Sequence, residues 1–358
     1  MRRAKVLFFV LRNLHLPHLY PVYRWMQSNA NDRFEVTFGS APVIDATIDS
    51  PGYGIDAELL AEFSIPVDKL LPFDQIQSFA PEVVVMADAD YRSDIDQIGA
   101  KIVNVNHGLI SKGAFYTDAP LAERDNIADL ICVPGSHHKQ LLQRVVKKPI
   151  LVTGLTKFDP VWSGELKRED ILRRYGVDPV KKVVLFAPTF TRELSAVPMV
   201  TDSVTKWLND DMHLLIKLHG MSPPEWIEMY RLIAQNDDKI TYVEDMDLTP
   251  ALVAADLMVS DVSSAFMEFA ALDKPVVLVN NPKRTSFIGF DPRDIEYTWR
   301  DIGVQTDNPD EIADLIRNQL SNPKRLSEKR MQYTDKLVGP RDGKAGERIA
   351  NGIEALIE

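Results

Sequence analysis

Cysteine is almost absent. Cys132 is the one copy in 358 residues, which excludes an intrachain disulfide framework and any cysteine-rich metal site. Positive charge is in deficit as well: 41 Lys and Arg face 52 Asp and Glu, a formal net charge of −11. Such a chain is poorly suited to non-specific nucleic-acid binding, which needs many phosphate contacts, although a local basic pocket for one nucleotide remains open to it. No uncharged apolar run reaches the roughly 18 residues of a membrane-spanning helix. Val6–Leu11 is too short to span and lacks a signal-peptide cleavage pattern. Gly-x-Gly-x-x-Gly, the Gly-x-x-x-x-Gly-Lys-Ser/Thr phosphate loop and the Gly-x-Ser-x-Gly nucleophile elbow are all missing. His137 and His138 are adjacent, a poor spacing for a shared metal, and no Asp/His ligand set is convincing, so no metal is expected.

What is present is a repeated alternation of short apolar runs and longer amphipathic pieces. The chain is 45% hydrophobic and 26% charged, enough apolar surface for a large core, and at about 150 residues per domain the length suggests two domains. Lys5–Leu11, Arg33–Phe38, Glu82–Met86, Lys101–Asn106, Leu130–Val133 and Pro149–Val152 are dense in Val, Ile and Leu and bounded by Pro, Gly, Asn or Asp. Such near-continuous runs predict parallel strands covered on both faces, with crossover helices such as Ser136–Val146 between them. The pattern restarts at Lys182–Phe186 and continues through His213–Leu218, Lys239–Val243, Leu257–Ser260, Pro275–Val279 and Ile302–Gln305. Helices fit Ser203–Asn209, Pro224–Ala234, Thr249–Ala254, Ala265–Leu272 and Pro309–Leu320. The expected organisation is an α/β domain over 1–155, a connector over 156–175, a second α/β domain over 176–322 and a helical tail over 323–358 packing back toward the first domain. Ligands of such folds bind outside the carboxyl ends of the strands.

Candidate residues cluster at those strand ends. His107 follows the run Ile102–Asn106 and precedes Gly108, whose missing side chain lets backbone approach a ligand. A histidine there can serve as a base near neutral pH, or simply bond the turn. Lys112, shortly after, pairs with a phosphate or is a solvated loop charge. His219-Gly220 repeats the arrangement after Leu214–Leu218, with His219 placed to donate to a phosphate. His15 and His18 lie near the first strand end and are expected only to line the cleft. Ala187-Pro188-Thr189 closes another strand, where Thr189 and Arg192 meet a phosphate or stay solvated. In Ser260-Asp261-Val262-Ser263-Ser264 a strand turns into a helix, with Ser263 and Ser264 as expected caps beside an anion site. Glu268, four residues past Ser264, falls on the cap's face, where its carboxylate could accept two ribose hydroxyls; the alternative is a solvated helix residue. Asp342 and Gly343 form a polar turn before a final helix that Gly343 would open near a ligand, or that starts in the ordinary way.

Taken together these segments resemble the CDP-glycerol glycerophosphotransferase family, the teichoic-acid primases and polymerases. His107-Gly108 with Lys112 is similar to its Trp-His-Gly-x-x-x-Lys motif, with Asn106 where tryptophan is usual. Gly154–Asp159 resembles Gly-x-Pro-Arg-x-Asp, Ala187-Pro188-Thr189 its Ala-Pro-Thr, and Lys217–Gly220 its Arg/Lys-x-His-Pro. Ser260–Ser264 with Glu268 resembles Thr/Ser-Asp-Tyr-Ser-Ser and its following aspartate; Asp273-Lys274-Pro275 and Asp342–Arg348 also correspond. The resemblance implies a GT-B fold, two Rossmann-like domains facing across a cleft. It implies transfer of a polyol phosphate from a CDP-activated donor to an acceptor hydroxyl on a glycan or lipid-linked acceptor, without a cofactor. His107 is then the base, and His219 holds the donor diphosphate with Lys112, Thr189, Arg192, Ser263 and Ser264. Glu268 holds the ribose, and Asp342 and Gly343 complete the donor site. A cytoplasmic protein is expected, with peripheral contact at the inner face of the plasma membrane. The rival readings are a GT-B enzyme using a UDP-sugar, either a glycosyltransferase or a relative of UDP-N-acetylglucosamine 2-epimerase (which the Asp342–Ile349 ending also resembles), and a non-catalytic nucleotide-binding accessory protein.

Overall fold

The computed structural model describes residues 2–40, 54–87, 97–113 and 125–358. They form two compact units. Unit 1 comprises 1–109, 115–163 and 336–358; unit 2 comprises 110–114 and 164–335.

Unit 1 is built on a six-stranded parallel sheet in the order β2-β1-β3-β4-β5-β6. The strands are β1 (Ala4–Phe9), β2 (Phe34–Gly39), β3 (Val83–Met86), β4 (Lys101–Val105), β5 (Leu130–Val133) and β6 (Ile150–Val152). β-Branched side chains suit a pleated surface buried on both faces, and β3, all Val and Met, is buried at every position. Val6 is the register point of the sheet's middle, opposite Val36 on one side and Val83 on the other. Phe8 stacks on Phe38, centroids 5.2 Å apart, and Tyr23 meets both rings edge-on. Tyr23 belongs to the helix Leu16–Asn29, which starts with Pro17 in its first turn, where a missing N–H costs nothing. The final helix, Ala345–Ile357, packs against it. Gly346 makes that approach possible: a Cβ there would lie 2.6 Å from the Pro21 carbonyl oxygen.

Unit 2 carries β7 (Lys182–Phe186), β8 (Met212–Ile216), β9 (Ile240–Tyr242), β10 (Leu257–Ser260), β11 (Val276–Val279) and β12 (Val304–Thr306). All are parallel, in the order β12-β11-β10-β7-β8-β9, the doubly wound arrangement whose direction reverses between its first and fourth strands. Phe186 leads into a buried aromatic cluster, with Trp207 and Tyr230 edge-on at 5.3 and 5.8 Å.

The twelve strands lie where the apolar runs predict, shifted by a residue or two at the ends. The helices differ more. The expected Ser203–Asn209 helix is a 3-10 segment, Thr201–Trp207. The helix expected over Pro309–Leu320 opens with a 3-10 turn, Pro309–Glu311, because Asn308 accepts the Asp310 N–H and tightens the start. The 156–175 stretch contains two helices, Asp159–Trp162 and Arg168–Arg174, and the boundary between units falls between them, at Ser163 and Gly164. No described helix is long and apolar enough to cross a membrane.

Candidate functional site

In unit 2 the strand order reverses between β7 and β10, and the loops leaving their carboxyl ends are tied together by Asp261. Its fully buried carboxylate accepts the Thr189 N–H at 2.9 Å and the Ala196 N–H at 2.7 Å. Burial pushes this carboxyl up to about 7, against the pull of the two amides and the nearby Arg300. Arg300, itself buried, donates to the Asp261 carbonyl oxygen at 2.9 Å and to Asn280 Oδ1 at 2.8 Å. Asn281 donates to the Arg192 and Ser195 carbonyls, and Ser260 Oγ donates to the Ala187 carbonyl at 2.7 Å. The Thr189–Ser195 segment is thus fastened to the ends of β10 and β11 by side-chain hydrogen bonds.

His219 joins this edge from the loop after β8, β7's other neighbour. Its ring lies 4.6 Å from that of Phe190. Its Nδ1 accepts the Met221 N–H at 3.1 Å, so a neutral ring carries its proton on Nε2 and is a donor there. Ser263 Oγ accepts the Ala265 N–H at 3.2 Å, whereas Ser264, the residue before the helix Ala265–Ala270, makes no capping bond with its side chain. Glu268 is 4% exposed, so it is not the solvated helix residue of the alternative reading. Thr189, His219, Ser263 and Ser264 therefore gather at the carboxyl edge of β7, β8 and β10.

Other expected donor residues are engaged elsewhere. Arg192 pairs with Glu225 and lies over the Trp226 ring. Lys112, in the short segment that belongs to unit 2, sits 3.8 Å from Glu296, which also accepts from Ser111 at 3.0 Å. Burial raises the Glu296 carboxyl above the usual range, while Lys112 and Ser111 oppose the shift. Asp342 and Gly343 belong to unit 1, whereas the other expected donor residues belong to unit 2. Asp342 binds Arg348 through both its oxygens. Gly343 has φ +72°, and a Cβ on it would meet the Asp159 carbonyl at 3.0 Å. Asp159 in turn accepts the Ala345 and Gly346 N–H groups at 3.0 and 2.7 Å. The two segments at Gly154–Asp159 and Asp342–Arg348 are therefore one fastening that holds the final helix. Asp273-Lys274 is structural in the same sense. Lys274 caps the carbonyls of Leu252, Val253 and Ala255, and Asp273 binds Arg330 and Ser327.

In unit 1 the corresponding reversal lies between β1 and β3. His107, after β4, places Nδ1 3.1 Å from the Ala87 carbonyl oxygen at the end of β3. A carbonyl only accepts, so Nδ1 carries a proton, and in the neutral ring the lone pair is on Nε2. The His15 ring lies 5.0 Å from that of His107. His15 and His18 are both buried and are held well below the ordinary histidine value. Desolvation is the main cause. His107 and Arg12 add to it at His15, and Lys157, His107 and His15 add to it at His18. Sequence reasoning placed His15 and His18 near a strand end but not with His107 and Lys157, and it did not find Arg300 or Asn281. Asp261 carried the one available signal, its place inside the Ser260–Ser264 run.

A family model described as CDP-Glycerol:Poly(glycerophosphate) glycerophosphotransferase matches residues 96–355. The teichoic acid glycerol-phosphate primase of Bacillus spizizenii is 31% identical over 127 residues, 35% of this chain and 32% of that protein. The teichoic acid glycerol-phosphate transferase of Staphylococcus aureus is 24% identical over 246 residues, 63% of this chain and 60% of that protein. The chain spans between 32% and 60% of the length of the curated relatives it matches. Among solved structures, the wall teichoic acid polymerase TagF superposes with a TM-score of 0.71 at 13% identity, covering 99% of this chain and 89% of that one. UDP-GlcNAc 2-epimerase from Neisseria meningitidis bound to UDP-GlcNAc gives 0.60 at 14% identity, covering 99% of each chain. These structural likenesses speak to the fold alone.

Proposed function

Since the chain belongs to the CDP-glycerol:poly(glycerophosphate) glycerophosphotransferase family, we propose that it moves a polyol phosphate from a CDP-activated donor to an acceptor hydroxyl in cell-surface polymer synthesis. The observation that carries this reading is the pair of opposed tautomers at the strand ends. His107 donates its Nδ1–H to the Ala87 carbonyl oxygen, which in the neutral ring leaves the lone pair on Nε2; His219 accepts at Nδ1, which in the neutral ring puts the proton on Nε2. One ring is arranged to take a proton and the other to donate to an anion, which is the division that phosphoryl transfer to a hydroxyl needs.

In the proposed reaction His107 Nε2 takes the acceptor hydroxyl proton. The oxygen attacks the phosphorus that bears the polyol. The bond from that phosphorus to the bridging oxygen breaks, and CMP leaves with the electron pair. His219 Nε2–H, with the hydroxyls of Thr189, Ser263 and Ser264, stabilises charge on the diphosphate. Asp261 acts through the loop it fastens and is a positioning residue. Glu268 receives the ribose. Arg192 and Lys112 enter this reading only through exchange of their present carboxylate partners for phosphate, and Asp342 and Gly343 hold the final helix.

Steady-state kinetics separate the two roles. His107→Gln lowers kcat by about 10² to 10⁴ while CMP affinity is retained. His219→Ala weakens donor binding by about 10- to 100-fold, the range for a lost hydrogen bond to a charged group. A His107→Gln enzyme that turns over normally at saturation removes the base from the proposal.

A further inference from the structure

Glu296 has no task in the reaction above, yet it is a buried carboxylate with an unfilled bonding position. It sits in the short helix Ile295–Thr298, in the connection between β11 and β12, and its side chain is 1% exposed. Its Oε2 accepts the Ser111 hydroxyl at 3.0 Å, while Oε1 is buried with no hydrogen-bond partner. Lys112 Nζ, 3.8 Å from Oε1, balances the charge but lies beyond hydrogen-bonding distance. The hydroxyl of the next residue, Tyr297, is a second buried group without a partner, and Glu296 is the charge that acts on it most strongly. Phe290 meets the Tyr297 ring edge-on at 4.8 Å and steadies it. Burying an unmet polar atom costs stability, and two adjacent residues do so here. Their position in unit 2 is set by Arg300. Its Nη1 donates to the Asp261 carbonyl at 2.9 Å and to the Glu296 carbonyl at 3.4 Å. One nitrogen therefore joins the backbone of Glu296 to the turn that carries Ser263 and Ser264.

We propose that Glu296 Oε1 and the Tyr297 hydroxyl form the seat for the donor's polyol, each bonding one of its hydroxyls, while Ser111 holds Oε2. This rests on the polyol-phosphate reading above and adds the residues that tell a polyol from a plain alkyl group. A carboxylate oxygen accepts, so it repels a phosphate oxygen and takes a hydroxyl. The Tyr297 hydroxyl both donates and accepts, and either role suits a polyol. The order of groups fits as well. Glu296 stands beside Asp261, the hydroxyls of Ser263 and Ser264 follow, and Glu268 comes four residues after Ser264. A CDP-activated donor presents polyol, diphosphate and ribose in that same order. Glu296 and Glu268 then do like work at opposite ends of one ligand, with the phosphate-binding turn between them.

The test is titration calorimetry of the full-length protein with CDP-glycerol and with the propyl ester of CDP, which keeps the diphosphate and lacks the free glycerol hydroxyls. The wild-type protein is expected to bind CDP-glycerol about 10- to 100-fold more tightly than the propyl ester, the range for hydrogen bonds to a charged group. Glu296→Gln narrows that preference about tenfold, and Tyr297→Phe narrows it by a smaller factor. Neither variant changes affinity for the propyl ester, which a merely damaged fold would weaken as well. Equal wild-type affinity for the two esters overturns the seat, whether or not the variants fold, and so does a Glu296→Gln protein that keeps the full preference. The two ideas fail in different ways: equal binding of both esters refutes the seat and leaves the donor reading standing, whereas binding of neither refutes the donor reading and the seat with it.

Discussion

At the scale of single residues, the buried titratable groups pull stability in opposite directions along the pH axis. Asp261 is pushed up to about 7, so between the ordinary carboxyl range and about 7 the folded chain keeps a proton that the unfolded chain has lost. Its contribution is full below the ordinary carboxyl range, falls as pH rises from there and is gone by about 7. His137 and His138 are drawn down from the ordinary value to about 4 and about 3, chiefly by burial, and His15 and His18 move the same way. Below about 6.5 the unfolded chain takes up protons that the folded one refuses, so these four contribute stability above about 6.5 and lose it as pH falls. Thermal unfolding followed from pH 4.5 to 8.5 is therefore expected to give its highest Tm between about 6 and 7, with the rise from pH 4.5 to that maximum steeper in Asp261→Asn. A Tm that holds constant from pH 6.5 down to 5 contradicts the assignment of buried neutral histidines. The strand-end positions of His107 and His219 were legible in the sequence because each follows an apolar run and precedes a glycine. Asp261's role was not, because its amide partners lie 72 and 65 residues away and a buried aspartate in a Ser-Asp-x-Ser-Ser run looks like any polar turn.

At the scale of elements, the final helix is held from outside itself. Two of its first N–H groups, which no residue within a helix can satisfy, are met by Asp159, far earlier in the chain. Gly135 gives the chain before that helix its path: a Cβ there would lie 2.2 Å from the Leu337 carbonyl oxygen, and the Gly339 N–H bonds the Pro134 carbonyl. Asp159→Ala is expected to cost about 1–3 kcal/mol, the range for a lost cap and unmet amides, read as a lower urea midpoint. An unchanged midpoint means that the amides find other partners. The sequence separated the two halves of this fastening into a domain-junction turn and a donor motif, since nothing local links residues 159 and 345. Strands were easier to read than helices for a related reason. A fully buried parallel strand is apolar at every position, whereas the 3-10 segment Thr201–Trp207 has the composition of a helix and is set apart by its hydrogen bonding.

At the scale of the whole molecule, two parallel sheets of six strands each offer one reversal point, in the orders β2-β1-β3-β4-β5-β6 and β12-β11-β10-β7-β8-β9. The doubled α/β pattern was visible because the run of apolar segments stops and restarts. The exchange of segments was not: Ile110–Ala114 goes with unit 2 and Lys336–Glu358 with unit 1, and Lys112 thereby meets Glu296. The central claim is that unit 2 holds a cytidine-activated donor. Its most direct test is titration calorimetry of the protein with CMP, CDP-glycerol, UDP and UDP-N-acetylglucosamine. Selective binding of the cytidine nucleotides, lost in Glu268→Ala, is the predicted result; preference for the uridine nucleotides contradicts it and moves the chain to sugar chemistry.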